Sequence, residues 1–361
     1  MISPSAVANG MGGGFVAAST EVSAIHYNPA ALTRLGQVAI EGNTFKVFPN
    51  IKNDDAHYYY IAGAIQINWL NQLWLGLAYT RLGLGTFTVA DIDRPDPIAV
   101  ADPRDWAISL AAAKKLGQHA RFGIGFKYIR SIDVLLETSP VFPYFEFSST
   151  PASTYAFDFG FLYEGFLPMV HFSHTSKHRP PPWEKWSSNR LPPGLSLGVA
   201  LANIGPKIEY RSRYTSISRQ SSNPLPQNLR IGLLWNVYDS DDISLFATGQ
   251  FTKILIKEQD RRGHFDPALK ALFTAWSDQS TRDEFGEAIY EGGFEVSVMR
   301  LAAIRFGRHW DGENNFGYNT FGYSIGPPGL RFSFAKIVAG KYFSTGNWRI
   351  YTAAIVLDKL L

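Results

Sequence analysis

The residues capable of chemistry are scattered, and no set of them has the spacing of a catalytic centre. The chain contains no HExxH pair for zinc, no GxSxG elbow for an activated serine and no Walker loop for a triphosphate. His171, His174 and His178 recur at spacings of three and four, which on a helix would align metal ligands on one face. Pro180, Pro181 and Pro182 follow at once and argue against a helix, so no metal site is expected. The run Gly10-Met11-Gly12-Gly13-Gly14 has the composition of a phosphate cradle, but no strand signal precedes it as a dinucleotide loop requires. Acidic turns such as Asp54-Asp55 and 239–242 read as solvated loops. Neither an enzyme nor a cofactor is expected.

Composition narrows the class further. There is no cysteine, hence no disulfide framework and no thiol chemistry. A net charge of +3 over 361 residues gives no electrostatic case for nucleic acid. Charged residues are 18%, below the usual share of roughly a quarter, while aromatics reach 14%. A mean hydropathy of -0.09 is too polar for a helical membrane protein, and no apolar run reaches the 18 or so residues a transmembrane helix needs. The same balance suits a barrel in which every second residue faces a wet lumen.

The elements that must position these residues are strands. Phe122, Ile124, Phe126 and Tyr128 alternate with Arg121, Gly123, Gly125 and Lys127, and Tyr155, Phe157, Phe159, Phe161 and Tyr163 alternate with Ala156, Asp158 and Gly160. Similar alternation runs through Leu229–Trp235 and Leu330–Phe334. One face is bulky and apolar with Tyr or Trp at its ends; the other is small, glycine or charged. A soluble sandwich also alternates, but its strands are usually about five or six residues long, and these run to roughly ten to fourteen. We therefore expect an all-β fold: a transmembrane antiparallel barrel of about fourteen strands. Phe122, Phe157, Phe159, Leu233 and Phe332 should face lipid, and Arg121, Lys127, Asp158, Arg230 and Arg305 should pair within the lumen. Tight connections alternate with long ones at 85–103, 133–152, 212–226 and 257–287, the asymmetry of periplasmic turns and extracellular loops.

Residues 1–35 read as a short plug and 36–361 as the barrel. The stretch GMGGGFVAASTEVSAIHYNPAALTRL at 10–35 is glycine-rich, lacks strand alternation and precedes the first strand. Within it, Asn28, Pro29 and Ala30 form the plug motif: Pro29 biases Asn28 away from helix and starts a short turn over 30–35. This segment should fold inside or against the lumen, with the Asn28 amide bonded to backbone.

Two loop regions carry apolar residues that water would not favour. On the long-loop side, Phe142, Tyr144, Phe145, Leu272, Phe273 and Trp276 are candidate partner-binding residues. A helix is expected there, with Asp266 as N-cap, Pro267 at N1, and Leu269, Leu272, Phe273 and Trp276 on one face. Residues 167–193 are long where parity requires a short turn; they read as a Pro-rich ordered loop or, through Pro181, Pro182, Trp183 and Trp186, as an extended aromatic surface for periplasmic docking.

These stretches carry a family resemblance. The glycine-rich start and "HYNPAAL" resemble the N-terminus of FadL-type outer-membrane barrels. LSLGVALANIGPKIEY at 195–210 and LPQNLRIGL at 225–233 resemble the PorV/PorQ branch. The resemblance implies a cell outer-membrane location. Because residues 1–4 lack a basic, then apolar leader, it also implies a start trimmed by processing. It implies a PorV-like component of the type IX protein-secretion and surface-attachment machinery, binding other envelope proteins through its extracellular loops. The alternative it implies is a FadL-like transporter of long-chain fatty acids or other hydrophobic small molecules. Membrane lipid is the partner common to both.

Overall fold

The computed structural model describes residues 3–49, 55–91, 94–138, 145–167, 191–211, 220–240, 242–260, 264–276, 281–327, 329–339 and 348–357. Among them, fourteen antiparallel strands close into one barrel. In chain order they are β1 (Val38–Lys46), β2 (His57–Ile67), β3 (Leu73–Gly83), β4 (Arg104–Leu116), β5 (Ala120–Thr138), β6 (Phe145–Leu167) and β7 (Gly194–Ile204). The circuit continues with β8 (Asn228–Asp239), β9 (Ile243–Ile254), β10 (Ile289–Val298), β11 (Ala302–Asp311), β12 (Phe316–Ile325), β13 (Leu330–Ala339) and β14 (Trp348–Leu357). Val38 pairs with Leu357, so the first strand zips onto the last and no edge is left. This is the transmembrane barrel that the alternation predicts.

The two faces follow the period of two. Phe122 (41% exposed), Phe157 (43%), Phe159 (42%), Leu233 (46%) and Phe332 (52%) all point outward. Aromatic side chains ring this apolar wall at both rims. Tyr79, Trp106 and Tyr128 lie side by side at the long-loop end, with centroids 6.5 and 5.7 Å apart; Trp69, Tyr163 and Trp235 stand at the other. Short turns at that other end use left-handed residues, Asn71-Gln72 and Met299-Arg300, which match the strand twist.

The long-loop side is more structured than the sequence reading allowed. Residues 85–103 hold a hairpin, Phe87–Asp91 against Arg94–Ala101, and β5 and β6 keep pairing out to Thr138 and Phe145. The apolar alternation through 194–211 forms two strands, Gly194–Ile204 and Ile208–Arg211. Asn203 is left-handed, and Pro206 has no N–H to give the ladder. The chain then leaves the barrel, and Ile208–Arg211 pairs with Gln220–Asn223.

The helix expected after Asp266 is Ala268–Thr274, with the cap at Pro267 rather than Asp266. The Asp266 carboxylate accepts from Lys270 Nζ at 2.9 Å and from Thr274 Oγ1 at 2.7 Å.

Candidate functional site in the barrel lumen

Residues 3–35 lie inside the barrel and are almost wholly buried. Two short helices, α1 (Ala6–Gly10) and α2 (Ala24–Tyr27), and a 3-10 turn at Pro29–Arg34 give the segment its shape. Ser5 caps α1 through Ala8 N. Asn28 is fully buried and extended, and its Oδ1 accepts from Ala30 N at 3.1 Å, with Pro29 at the first position of the turn. The Asn28 Nδ2 donates to Val16 O (3.0 Å) and to Phe161 O of β6 (3.1 Å). One amide thus joins two parts of the segment to the wall.

The wall makes room by omission. A Cβ at Gly123, Gly160, Gly198, Gly293, Gly307 or Gly322 would come to 3.1 Å or less from atoms of the segment. These glycines face inward on six strands, so backbone packs on backbone. Gly42, on the outward register of β1, has nothing within 4 Å of such a Cβ.

Polar anchors surround the seat. Arg34 Nε lies 2.6 Å from Glu164 Oε1, and its Nη1 donates to Ala17 O and Ser19 O. Arg121 also pairs with Glu164. Gln250 Oε1 accepts from Phe15 N and Val16 N at 3.1 and 2.8 Å. Glu41 Oε2 accepts from Ser23 N at 2.7 Å, and Arg230 Nη1 donates to His26 O at 3.1 Å. Of the lumen charges expected to pair, Lys127 and Asp158 do so with each other at 2.7 Å. Arg305 instead finds Glu295 at 2.5 Å.

Burial shapes the segment's titration. It raises the Glu21 carboxyl above its ordinary value, against the pull of Arg331 and a hydrogen bond from Ser5. It pushes the His26 imidazole well below its ordinary value, and the nearby Arg230 and Lys127 cations add to this.

Two environments flank the segment. Phe45, Tyr58, Tyr60, Ile337 and Ile350 form an apolar sector of the lumen, in one cluster with Ile25, Leu32 and Leu35 of the segment. Phe45 and Tyr58 stack at 4.8 Å, and the buried Tyr60 hydroxyl has no hydrogen-bond partner among the described residues. At the short-turn end, a cavity of ≈ 120 Å³ separates the segment from the wall; Val7, Glu21, Glu295, Arg300 and Arg331 line it. Among the described residues no three His, Asp or Glu side chains gather as metal ligands.

The other sequence candidates are not brought to this seat. Leu272 is half-buried on the helix at Ala268–Thr274, where Phe273 is exposed and Trp276 follows, also exposed. Phe145 begins β6, but its side chain falls outside the described residues, as do Phe142 and Tyr144. Pro181, Pro182, Trp183 and Trp186, with the three histidines of that loop, also lie outside them. Sequence reasoning missed Glu41, Glu164 and Gln250. Each is a polar residue on the inward register of a strand, and only that parity marks it.

No family model and no curated protein matches the chain. Solved structures do match in fold. The Ralstonia pickettii toluene transporter TbuX superposes with a TM-score of 0.53 at 14% identity, over 99% of this chain and 98% of that one. The P. putida toluene transporter TodX gives 0.54 at 10%, over 98% of each chain. A Pseudomonas aeruginosa FadL homologue gives 0.51 at 11%, over 99% of each. At these identities the likeness is one of fold: a barrel of the FadL type. It does not single out the PorV/PorQ branch.

Proposed function

We propose that this protein is an outer-membrane channel for hydrophobic small molecules, with residues 1–35 as the plug and 36–361 as the barrel. The observation that carries the reading is the apolar lumen sector at Phe45, Tyr58, Tyr60, Ile337 and Ile350, which runs without interruption onto Ile25, Leu32 and Leu35 of the plug. The toluene transporters that share the fold favour the same substrate class. With the long loops outside and the short turns in the periplasm, an apolar molecule would shed its water against this sector, since apolar surface removed from water is the main driving force available. The plug blocks onward passage. Its polar anchors to the wall are discrete, so transit requires that some of them part while the barrel stays closed.

The test is uptake of radiolabelled toluene and of a long-chain fatty acid by cells with and without the protein. Expression should raise uptake of at least one, and Tyr60→Arg should abolish the gain without opening a path for small sugars. Equal passage of sugars and apolar solutes through the unaltered protein would overturn the reading.

A component of a protein-export complex is the second reading. It rests on the resemblance of 195–210 and 225–233, and on exposed Phe273 and Trp276 at the long-loop end. Deletion of 267–277 should then lose protein partners on co-purification while leaving small-molecule uptake unchanged. The transport reading expects no such loss.

A further inference from the structure

The connection from β9 to β10 carries two helices, α3 (Ala268–Thr274) and α4 (Thr281–Gly286). α3 has two faces. Ala271 and Ala275 are buried, while Leu269 (70% exposed) and Phe273 (80%) stand one turn apart on the outer side, with Trp276 next along. Lys270 and Thr274, beside that ridge, are held by Asp266.

Two observations say what lies against this connection. Phe285 of α4 packs on Phe251 at 5.6 Å, and Phe251 on Tyr290 at 5.8 Å. Both wall residues sit on the outward register, and Tyr290 pairs with Trp310 in the long-loop aromatic girdle. The α4 end of the connection therefore folds outward, over the outer wall, while the α3 end is held at the strand ends, where Gln227 Nε2 donates to Ala268 O at 3.3 Å. Lys253 then shares the outward face of β9 with Phe251. It is buried, with Glu284 Oε2 at 2.5 Å and Glu287 Oε2 at 3.6 Å, both from the α4 end. A lysine facing water needs no such neutralisation; one at the edge of hydrocarbon does.

We propose that α3 and α4 form an interfacial anchor lying in the outer lipid leaflet, with Leu269, Phe273, Trp276 and Phe285 inserted at the headgroup–acyl boundary. A short amphipathic helix with an aromatic and leucine ridge is suited to this plane. Phe285 joins the lipid-facing girdle through Phe251 and Tyr290, and α3 precedes it in the same connection. The inference does not depend on what the channel carries.

The chain has no cysteine, so single nitroxide labels can be placed at Leu269→Cys, Phe273→Cys and Trp276→Cys, with Lys270→Cys as the reference. The full protein is reconstituted in phosphatidylcholine–phosphatidylglycerol vesicles. Relaxation of each label is measured by membrane-soluble oxygen and by a water-soluble nickel chelate. The ratio of oxygen to nickel effect should be higher at 269, 273 and 276 than at 270. Equal nickel access at all four positions would place the ridge in water and overturn the anchor. Protection of the ridge from both reagents would also overturn it, in favour of a protein neighbour or a second copy. Heat-modifiable migration on gels checks that each variant keeps its barrel.

Discussion

Arg34 of the N-terminal segment and Glu164 of the wall are joined by an ion pair of 2.6 Å in which both side chains are almost fully buried. Arg121 of the neighbouring strand shares the same carboxylate, so Glu164 is the one anion between two cations from different parts of the chain.

Removing that anion should loosen the segment and leave the barrel closed. Glu164→Ala leaves Arg34 and Arg121 buried without their shared anion, and breaking a buried pair from one side costs about 3–5 kcal/mol. Hydrogen exchange over residues 17–35 should accelerate strongly, while the strands stay protected. Unchanged exchange there would mean that the hydrogen bonds donated by Asn28 and accepted by Gln250 and Glu41 hold the segment without this ion pair.

The wall glycines predict a contrast between like substitutions. Gly307→Ala forces a methyl onto Met11 and Gly12 backbone, where nothing flexible can yield, whereas Gly42→Ala meets open space. The first should displace the segment, read as protease cleavage within residues 3–20 of the folded protein. The second should leave the cleavage pattern as it was. Equal behaviour of the two would mean that the seat is looser than backbone-on-backbone packing allows.

On the outer wall, Phe157 lies on the apolar face of β6 and packs against Phe126 at 5.5 Å. Phe157→Arg should cost about 2–4 kcal/mol if the site is near the bilayer midplane. Phe157→Leu should cost far less. Urea unfolding in lipid vesicles measures both, and a tolerated arginine would contradict a lipid-facing position.

Much of the barrel is legible because strand parity is a local signal. Phe122 and Gly123 declare opposite faces by their chemistry alone, whereas Tyr58, Tyr59 and Tyr60 do not, and there Tyr58 and Tyr60 turn to the lumen. The break after Ile204 is not legible in the same way, because the apolar alternation continues through Ile208 and Tyr210 while Pro206 and left-handed Asn203 end the ladder. Asp266 reads as a cap because its residue type is right, yet Pro267 with its extended ψ of 149° takes the cap position, and the Asp266 carboxylate accepts from Lys270 and Thr274. At the lumen site, the turn after Asn28-Pro29 follows from neighbours in sequence. The partners of Arg34, Phe15 and Ser23 are Glu164, Gln250 and Glu41. They stand on distant strands and become partners only once the barrel closes.

The last expectation concerns acid. His26 has a folded-state pKa well below its ordinary value of 6.5, so between the two the displaced segment binds a proton that the seated one does not. The contribution of His26 is therefore complete above about pH 6.5 and declines as the pH falls below it, by at most about 1.4 kcal/mol per pH unit. Glu21 acts in the opposite sense. Its carboxyl is raised above 4.5, so seating gains from its protonation as the pH falls through the raised value, and loses as the pH climbs back. Exchange of residues 17–35 measured from pH 7.5 to 4.5 should show the segment loosening below pH 6.5 in the unaltered protein. His26→Gln should remove that loosening, and Glu21→Gln should deepen it by deleting the opposing contribution. A profile identical in all three proteins would show that neither group senses the seating of the segment.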